Sequence, residues 1–138
     1  MKIDKRGLIE LAISARDASY SPYSHISVGA ALMTKAGKVY LGSNIENASF
    51  SPTVCAERVA FFKAVSEGER DFLAIAVVGA GCGEAVSGDF PPCGVCRQVM
   101  SEFCDADFVI LTGTPEKITE HTLGDMLPHG FDKSNVQL

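Results

Sequence analysis

Two thiols three residues apart, in Pro91-Pro92-Cys93-Gly94-Val95-Cys96-Arg97-Gln98, are the residues of this chain best suited to chemistry. The proline pair ahead of them delivers the chain into a helix, a common way of presenting sulfur to zinc. A pair does not complete a site, and a third thiol stands upstream in Cys55-Ala56-Glu57-Arg58, beside a carboxylate and a guanidinium. Three protein ligands leave the fourth position of a tetrahedral zinc open, which is how catalytic sites differ from structural ones. A closed structural site would need a fourth ligand from Cys82, Cys104, His25, His121 or His129, and would give Glu57 and Arg58 no purpose. Cys82 and Cys104 are instead read as small apolar residues of the interior, as unligated cysteine usually is.

Zinc binds thiolate, whereas an unperturbed cysteine with a pKa of about 8.5 is mostly protonated at neutral pH. Both cysteine segments fall at expected helix N-termini, where unpaired N–H groups and the helix dipole favour the anion. Three thiolates around a divalent ion leave a net negative charge, so a cation is expected beside them. Arg58 is the candidate, hydrogen-bonding a thiolate and drawing negative charge away from the metal. Glu57 is read as a proton shuttle and not as a ligand: it takes a proton from water and passes it to a substrate nitrogen and a leaving group. In a regular helix running through Cys55, a carboxylate two residues on would face away, so an irregular first turn is expected there.

The elements that must carry these residues follow from periodicity and turn chemistry. Ile3 to Ser19 repeats apolar residues at helical spacing and ends before Pro22. Ile26 to Met33 is an apolar run of strand length, Lys35 to Lys38 turns the chain, and Lys38 to Asn44 forms the returning arm of a hairpin. Ser51-Pro52 predicts a helix starting between Ser51 and Thr53 and running to about Ser66, with Ala56, Ala60 and Ala64 in a close-packing row and Val59, Phe62 and Val65 as bulk. Phe72 to Val78 reads as a central strand. Gly79-Ala80-Gly81-Cys82-Gly83 resembles a dinucleotide-binding turn but has Glu84 where a third glycine is required, so that reading is rejected. A helix from about Cys93 through Phe103, a strand at Phe108 to Leu111 and a short helix from Ile118 to Leu127 complete the order, before a tail, His129 to Leu138, anchored by Phe131. Alternating helices and strands after a hairpin predict a single three-layer α/β domain over 1–138.

The 12 Lys and Arg are scattered and the net charge is −5, so no basic footprint exists for a nucleic-acid polymer or an anionic membrane. A small neutral or cationic partner is expected. Five cysteines, a charged opening MKIDKRGLIE and the lack of a membrane-length apolar run predict a cytoplasmic protein with reduced thiols.

Asn44-Ile45-Glu46-Asn47-Ala48, then Cys55-Ala56-Glu57-Arg58, then Pro92-Cys93-Gly94-Val95-Cys96-Arg97-Gln98 together resemble the small homotetrameric cytidine deaminases, from the Tyr20-Ser21-Pro22-Tyr23-Ser24 turn to Leu127-Pro128. The resemblance implies a three-layer α/β/α sandwich with a mixed sheet, Zn²⁺ on Cys55, Cys93 and Cys96, and Glu57 moving protons to N3 and the departing amine. It implies that Asn44 and Glu46 hold the ribose, that the Ala56 N–H meets the pyrimidine carbonyl oxygen, and that a carbonyl just before Cys93 accepts from the amine. Pro91 stands where the family often has Ser, but proline keeps its carbonyl. Ile26 stands where the family usually has Phe, and an aliphatic chain cannot stack on a base as an aromatic does. Phe131 matches the family's C-terminal Phe, which closes a neighbouring subunit's site, so a homotetramer with shared sites is implied. The expected activity is hydrolytic deamination of cytidine and 2′-deoxycytidine in pyrimidine salvage. The alternatives are deamination of another aminopyrimidine nucleoside, such as a base-modified cytidine or a blasticidin-type antibiotic, and a non-catalytic zinc module. Arg97 is assigned no more than a salt bridge or a helix cap, and Phe61, Phe62 and Phe103 are assigned to packing.

Overall fold

The computed structural model describes residues 2–136; Met1 and the last two residues of the expected tail lie outside them. Helix α1 (Lys5–Ala15) is capped by Asp4, whose carboxylate accepts from the Gly7 N–H at 3.0 Å, and it runs into a 3₁₀ turn at Arg16–Ala18. The hairpin of β1 (Ile26–Thr34) and β2 (Val39–Ser43) follows, then α2 (Ala56–Ser66) and β3 (Phe72–Gly81). After α3 (Gly94–Phe103) come β4 (Val109–Gly113), β5 (Ile118–Thr122) and the single turn α4 (Leu123–Met126).

The strands form one mixed sheet in the order β2-β1-β3-β4-β5, in which only β3 and β4 are parallel. Alternation along the central strands sends side chains to both faces, which is why their sequences are apolar throughout. Ala31, Ala74, Ala76, Val78 and Leu111 meet Leu8, Ile9 and Ala12 of α1 on one face. Ala30, Leu32, Ile75, Val77 and Ile110 meet Ala56, Ala60, Phe61 and Ala64 of α2 and Cys96 and Met100 of α3 on the other. The result is the three-layer α/β/α sandwich, with the two helices that carry the site cysteines packed on one side of the sheet. No helix among the described residues is long and apolar enough to cross a membrane.

The small-residue row of α2 does what its spacing predicts. A Cβ on Gly42 of β2 would collide with the Ala56 carbonyl oxygen and the Ala60 nitrogen, so helix and strand touch backbone to backbone. The bulk beside that row is Phe61, however, fully buried against Phe72 at 5.1 Å between ring centres and against Phe103 at 6.2 Å, while Phe62 is half exposed. Truncating an aromatic placed like Phe61 costs about 3–5 kcal/mol.

Three expected boundaries move. Helix α2 starts at Ala56 instead of between Ser51 and Thr53, because Val54 is held extended by an antiparallel bridge to Ile45, with N–H···O contacts of 2.9 and 3.0 Å. Ser51-Pro52 lies in the preceding turn. The helix expected over Ile118 to Leu127 is a strand followed by one helical turn. Ile118, Thr119 and Thr122 are β-branched, and the open edge of β4 supplies the hydrogen-bonding partners that favour extension, pairing Val109 with Thr122 through Gly113 with Ile118. The Phe72 strand also runs three residues beyond Val78, so Gly79 to Gly81 is β-structure paired with Val28 to Ile26, and no helix follows it as a dinucleotide turn would require.

Candidate active site

Helices α2 and α3 bring their N-termini together. Cys55 and Cys93 are the N-cap residues of these helices, both extended in backbone (φ −75°, ψ 155° and φ −69°, ψ 167°), and neither side chain caps its helix. Both sulfurs are therefore free to converge with Cys96, which lies in the first turn of α3. Cys55 Sγ is 3.7 Å from Cys93 Sγ, which is 3.6 Å from Cys96 Sγ, and all three lie within 4.8 Å of one another. Zn–S bonds of about 2.3 Å at tetrahedral angles place neighbouring sulfurs about 3.8 Å apart. The donor set thus fits zinc closely, and no histidine or carboxylate joins it among the described residues.

The N-cap position of Cys55 also removes the conflict anticipated for Glu57. Cys55 precedes the helix, so its direction is not tied to helical periodicity, and the first turn of α2 needs no irregularity. Glu57 is 3% exposed. Burial pushes its carboxyl up to about 7, with the Cys55 thiolate adding to the rise and its own N–H and the Cys96 thiol opposing it. Cys55 is pulled down to about 5, chiefly by the hydrogen bond that Cys96 donates to it, with Arg58 and Cys93 also favouring the anion against burial. Cys96 moves the other way, since giving up its proton would break that hydrogen bond and add charge to a buried site. Burial opposes the charge on Arg58, but hydrogen bonds to Cys55 and Cys96 outweigh it and hold the guanidinium charged. Arg58 Nη2 lies 3.5 Å from Cys55 Sγ, while Nε is buried without a hydrogen-bond partner among the described residues.

The other expected site residues are Ile26 at the start of β1, Asn44 and Glu46 after β2, Ala56 on α2, Pro91 ahead of α3 and Phe131 beyond α4. Asn44 is buried, with Nδ2 donating to the Ile26 carbonyl at 2.8 Å and Oδ1 accepting from the Val28 N–H at 2.9 Å. The Glu46 carboxylate accepts from the Tyr23 and Ser24 N–H groups at 3.0 and 3.1 Å and from the Ser24 hydroxyl, which holds its pKa below the usual carboxylate range. Ser24 Oγ in turn accepts from the Ile26 N–H at 3.1 Å. Asn44 and Glu46 therefore fix the backbone of Ile26 from both sides, a role that their sequence positions did not announce. Ile26 itself is 39% exposed at the start of β1, and Phe131 is 63% exposed, with its carbonyl accepting from Gln98 Nε2 at 2.6 Å. Ala56 is fully buried at the first position of α2, and Pro91 is exposed. Among the described residues of the single chain Arg97 has no carboxylate partner. It donates from Nε to the Pro92 carbonyl and from Nη1 to the Met126 carbonyl, each at 2.8 Å, tying the loop before Cys93 to α4.

Cys82 is a correction to the sequence reading: it is exposed, its sulfur 3.2 Å from Ser21 Oγ, because the chain leaves the sheet after Gly81. Cys104 does pack against the core, and burial pushes its thiol up to about 12. Only thiolate alkylates, so a raised pKa protects. Treating the zinc-loaded protein with iodoacetamide at about pH 8 is expected to modify Cys82 and spare Cys104, as peptide mass mapping would show.

Three thiols converging on one open vertex, with a buried carboxylate alongside and helices on both sides of the sheet, define a zinc enzyme of the α/β/α class. Residues 2–112 match the family model for the cytidine and deoxycytidylate deaminase zinc-binding region, and the chain belongs to that family. It is 50% identical over 135 residues to a cytidine deaminase of Halalkalibacterium halodurans, covering 97% of this chain and 98% of that one. It is 32% identical over 130 residues to a blasticidin-S deaminase of Bacillus cereus, covering 92% and 91%. Among solved structures, a cytidine deaminase from Burkholderia pseudomallei superposes with a TM-score of 0.85 at 42% identity, covering 94% of this chain and all of the other.

Proposed function

We propose that this protein hydrolyses cytidine, and 2′-deoxycytidine, to the corresponding uridine and ammonia. The observation that carries the reading is Glu57, buried beside three sulfurs spaced for zinc, in a chain half identical to a cytidine deaminase over nearly its whole length. Cys55, Cys93 and Cys96 hold the metal. Bound there, zinc supplies a Lewis-acidic open position that lowers the pKa of a water towards neutrality. Glu57 takes a proton from the attacking water and delivers it to N3 of the base. It then takes the second proton from the oxygen now bonded to C4 and gives it to the amine, so that the C4–N bond breaks, ammonia leaves and the C4 carbonyl of the uridine forms. Arg58, charged and against Cys55, offsets the negative charge of the thiolates.

Binding is assigned to groups with capacity left over. The Asn44 amide keeps one N–H after serving Ile26, and Glu46 keeps lone pairs, so both can meet ribose hydroxyls. The Ala56 N–H, in the first turn of α2, has no partner within its helix and suits the pyrimidine carbonyl oxygen. The Pro92 carbonyl is taken by Arg97, which leaves that of Pro91 for the amine. Phe131, exposed as it is, would close the site of a neighbouring subunit in a homotetramer. The setting is pyrimidine salvage in the cytoplasm, carried out by one domain.

A second reading, deamination of a modified cytosine nucleoside, is favoured by the aliphatic Ile26 at the base position and by the likeness to a blasticidin-S deaminase. Parallel turnover of cytidine, 2′-deoxycytidine, 5-methylcytidine and blasticidin S separates the two. Fastest loss of the 4-amine chromophore with cytidine is expected; turnover of blasticidin S without turnover of cytidine would reverse the assignment.

A further inference from the structure

The glycine-rich stretch after Val78 has no part in the chemistry above, yet Gly79 touches it indirectly. Gly79 lies on β3 in line with Ile75 and Val77, on the face covered by α2 and α3. A Cβ built there would sit 2.8 to 2.9 Å from three atoms of the Phe90 ring, far inside ordinary carbon contact at about 3.5–4.0 Å. The missing side chain is what lets that ring lie against the strand.

Phe90 directly precedes Pro91, and its neighbours are anchored as well. The Asp89 carboxylate accepts from Thr112 Oγ1 at 2.8 Å, and Thr112 is fully buried on β4. Pro92 is fully buried, and its carbonyl is held by Arg97. Asp89, Phe90 and Pro92 are thus fastened to β4, β3 and α3, with Pro91 between them, and its ring fixes its own φ. No group of the described chain donates to the Pro91 carbonyl. An acceptor held this firmly with its lone pairs free is preorganised: it costs little further order when a donor arrives.

We propose that Gly79, Phe90, Asp89 and Thr112 are positioning residues that aim the Pro91 carbonyl at the substrate's 4-amine. The proposal rests on the deaminase reading above. It explains why a glycine is needed at a strand position where no turn, bulge or positive φ requires one.

The test compares cytidine with a pyrimidin-2-one nucleoside, an inhibitor that lacks the 4-amine, on zinc-loaded protein. Gly79→Ala forces the Phe90 ring off the strand, and kcat/KM for cytidine is expected to fall about tenfold or more, a loss typical of sub-ångström to ångström misplacement. Zinc content and the inhibition constant of the amine-free nucleoside are expected to stay as in the parent protein. Adding Phe90→Val to Gly79→Ala, which makes room for the new methyl, is expected to restore most of the turnover. Unchanged cytidine turnover in Gly79→Ala, equal weakening towards both nucleosides, or failure of the second change to rescue would overturn the proposal. If Gly79→Ala does not fold, Thr112→Val decides. It exchanges only a hydroxyl for a methyl of similar size, and about a threefold loss confined to cytidine is expected; no loss, or a loss shared by the inhibitor, overturns the idea. A parent protein that does not turn over cytidine sinks the deaminase reading itself, whereas an active parent with indifferent variants sinks the positioning role alone.

Discussion

Glu57→Gln is expected to lower cytidine turnover by about 10⁴-fold, the upper range for a positioned acid–base group, while leaving the zinc in place. Gln fills the same buried volume but can neither take a proton from water nor return one to N3 or the amine. Zinc is held by sulfur alone in this account, so metal content measured on the same sample stays at the parent value. Thermal unfolding is expected at the same temperature or slightly higher, because burying an amide costs less than burying a carboxylate. A variant inactive through misfolding would instead lose metal and melt early. The pH profile carries the sign of the same idea. Burial raises the Glu57 carboxyl to about 7 in the metal-free chain, and a raised carboxyl keeps its proton below that value and cannot act as base. Zinc's positive charge pulls the value down again. The acidic limb of kcat/KM is therefore expected below neutrality, with activity lost as the pH falls through it.

Cys96→Ser is expected to abolish zinc retention and with it both activity and a share of the stability. Cys96 is buried in the first turn of α3, and a neutral hydroxyl is a poor substitute for thiolate on zinc. A ligand bound about a thousandfold above its dissociation constant adds about 4 kcal/mol to the folded state. Removing it from a domain of this size should lower the melting temperature by on the order of 10 °C. Protein concentration must be matched, since assembly also shifts melting. In the unmodified chain the Cys96 proton, held by its hydrogen bond to Cys55, must leave when zinc enters. Apparent zinc affinity is accordingly expected to weaken as the pH is lowered, in a chelator competition run at two pH values. Arg58→Gln should keep the metal but bind it less tightly, having lost the cation beside Cys55. Zinc retained at full strength by Cys96→Ser would show that the cluster is not the metal site.

The site was more legible in the sequence than its surroundings. Cys93 and Cys96 are close in the chain, and helix-start chemistry alone puts both at one helix end. Cys55 with Glu57 and Arg58 carries its meaning in a run of four residues. What could not be read was anything set by distant partners. Ser51-Pro52 has the local chemistry of a helix start, and only the bridge from Val54 to Ile45 overrules it. Ile118 to Leu127 suits a short helix or a strand equally, and the free edge of β4 decides. Cys82 looks like any buried cysteine until the strand before it is seen to end at Gly81. The expected irregularity at Glu57 came from placing Cys55 inside the helix, because the helix start was set at Ser51 to Thr53 and not at Ala56, a shift with a large geometric consequence. The hydrogen bonds by which Asn44 and Glu46 hold the segment around Ile26, and the contacts of Phe90 and Asp89, join segments far apart in sequence and leave no pattern within any one of them.

The most direct test of the whole account is to incubate the zinc-loaded protein with cytidine in water enriched in heavy oxygen, and to analyse the product by mass spectrometry beside an ammonia assay. The account predicts uridine bearing solvent oxygen at C4, with ammonia released in equal amount and both formed about 10⁴-fold more slowly by Glu57→Gln. A protein that holds zinc on its three cysteines yet forms no uridine, or a Glu57→Gln variant that forms it as fast as the parent, would contradict it.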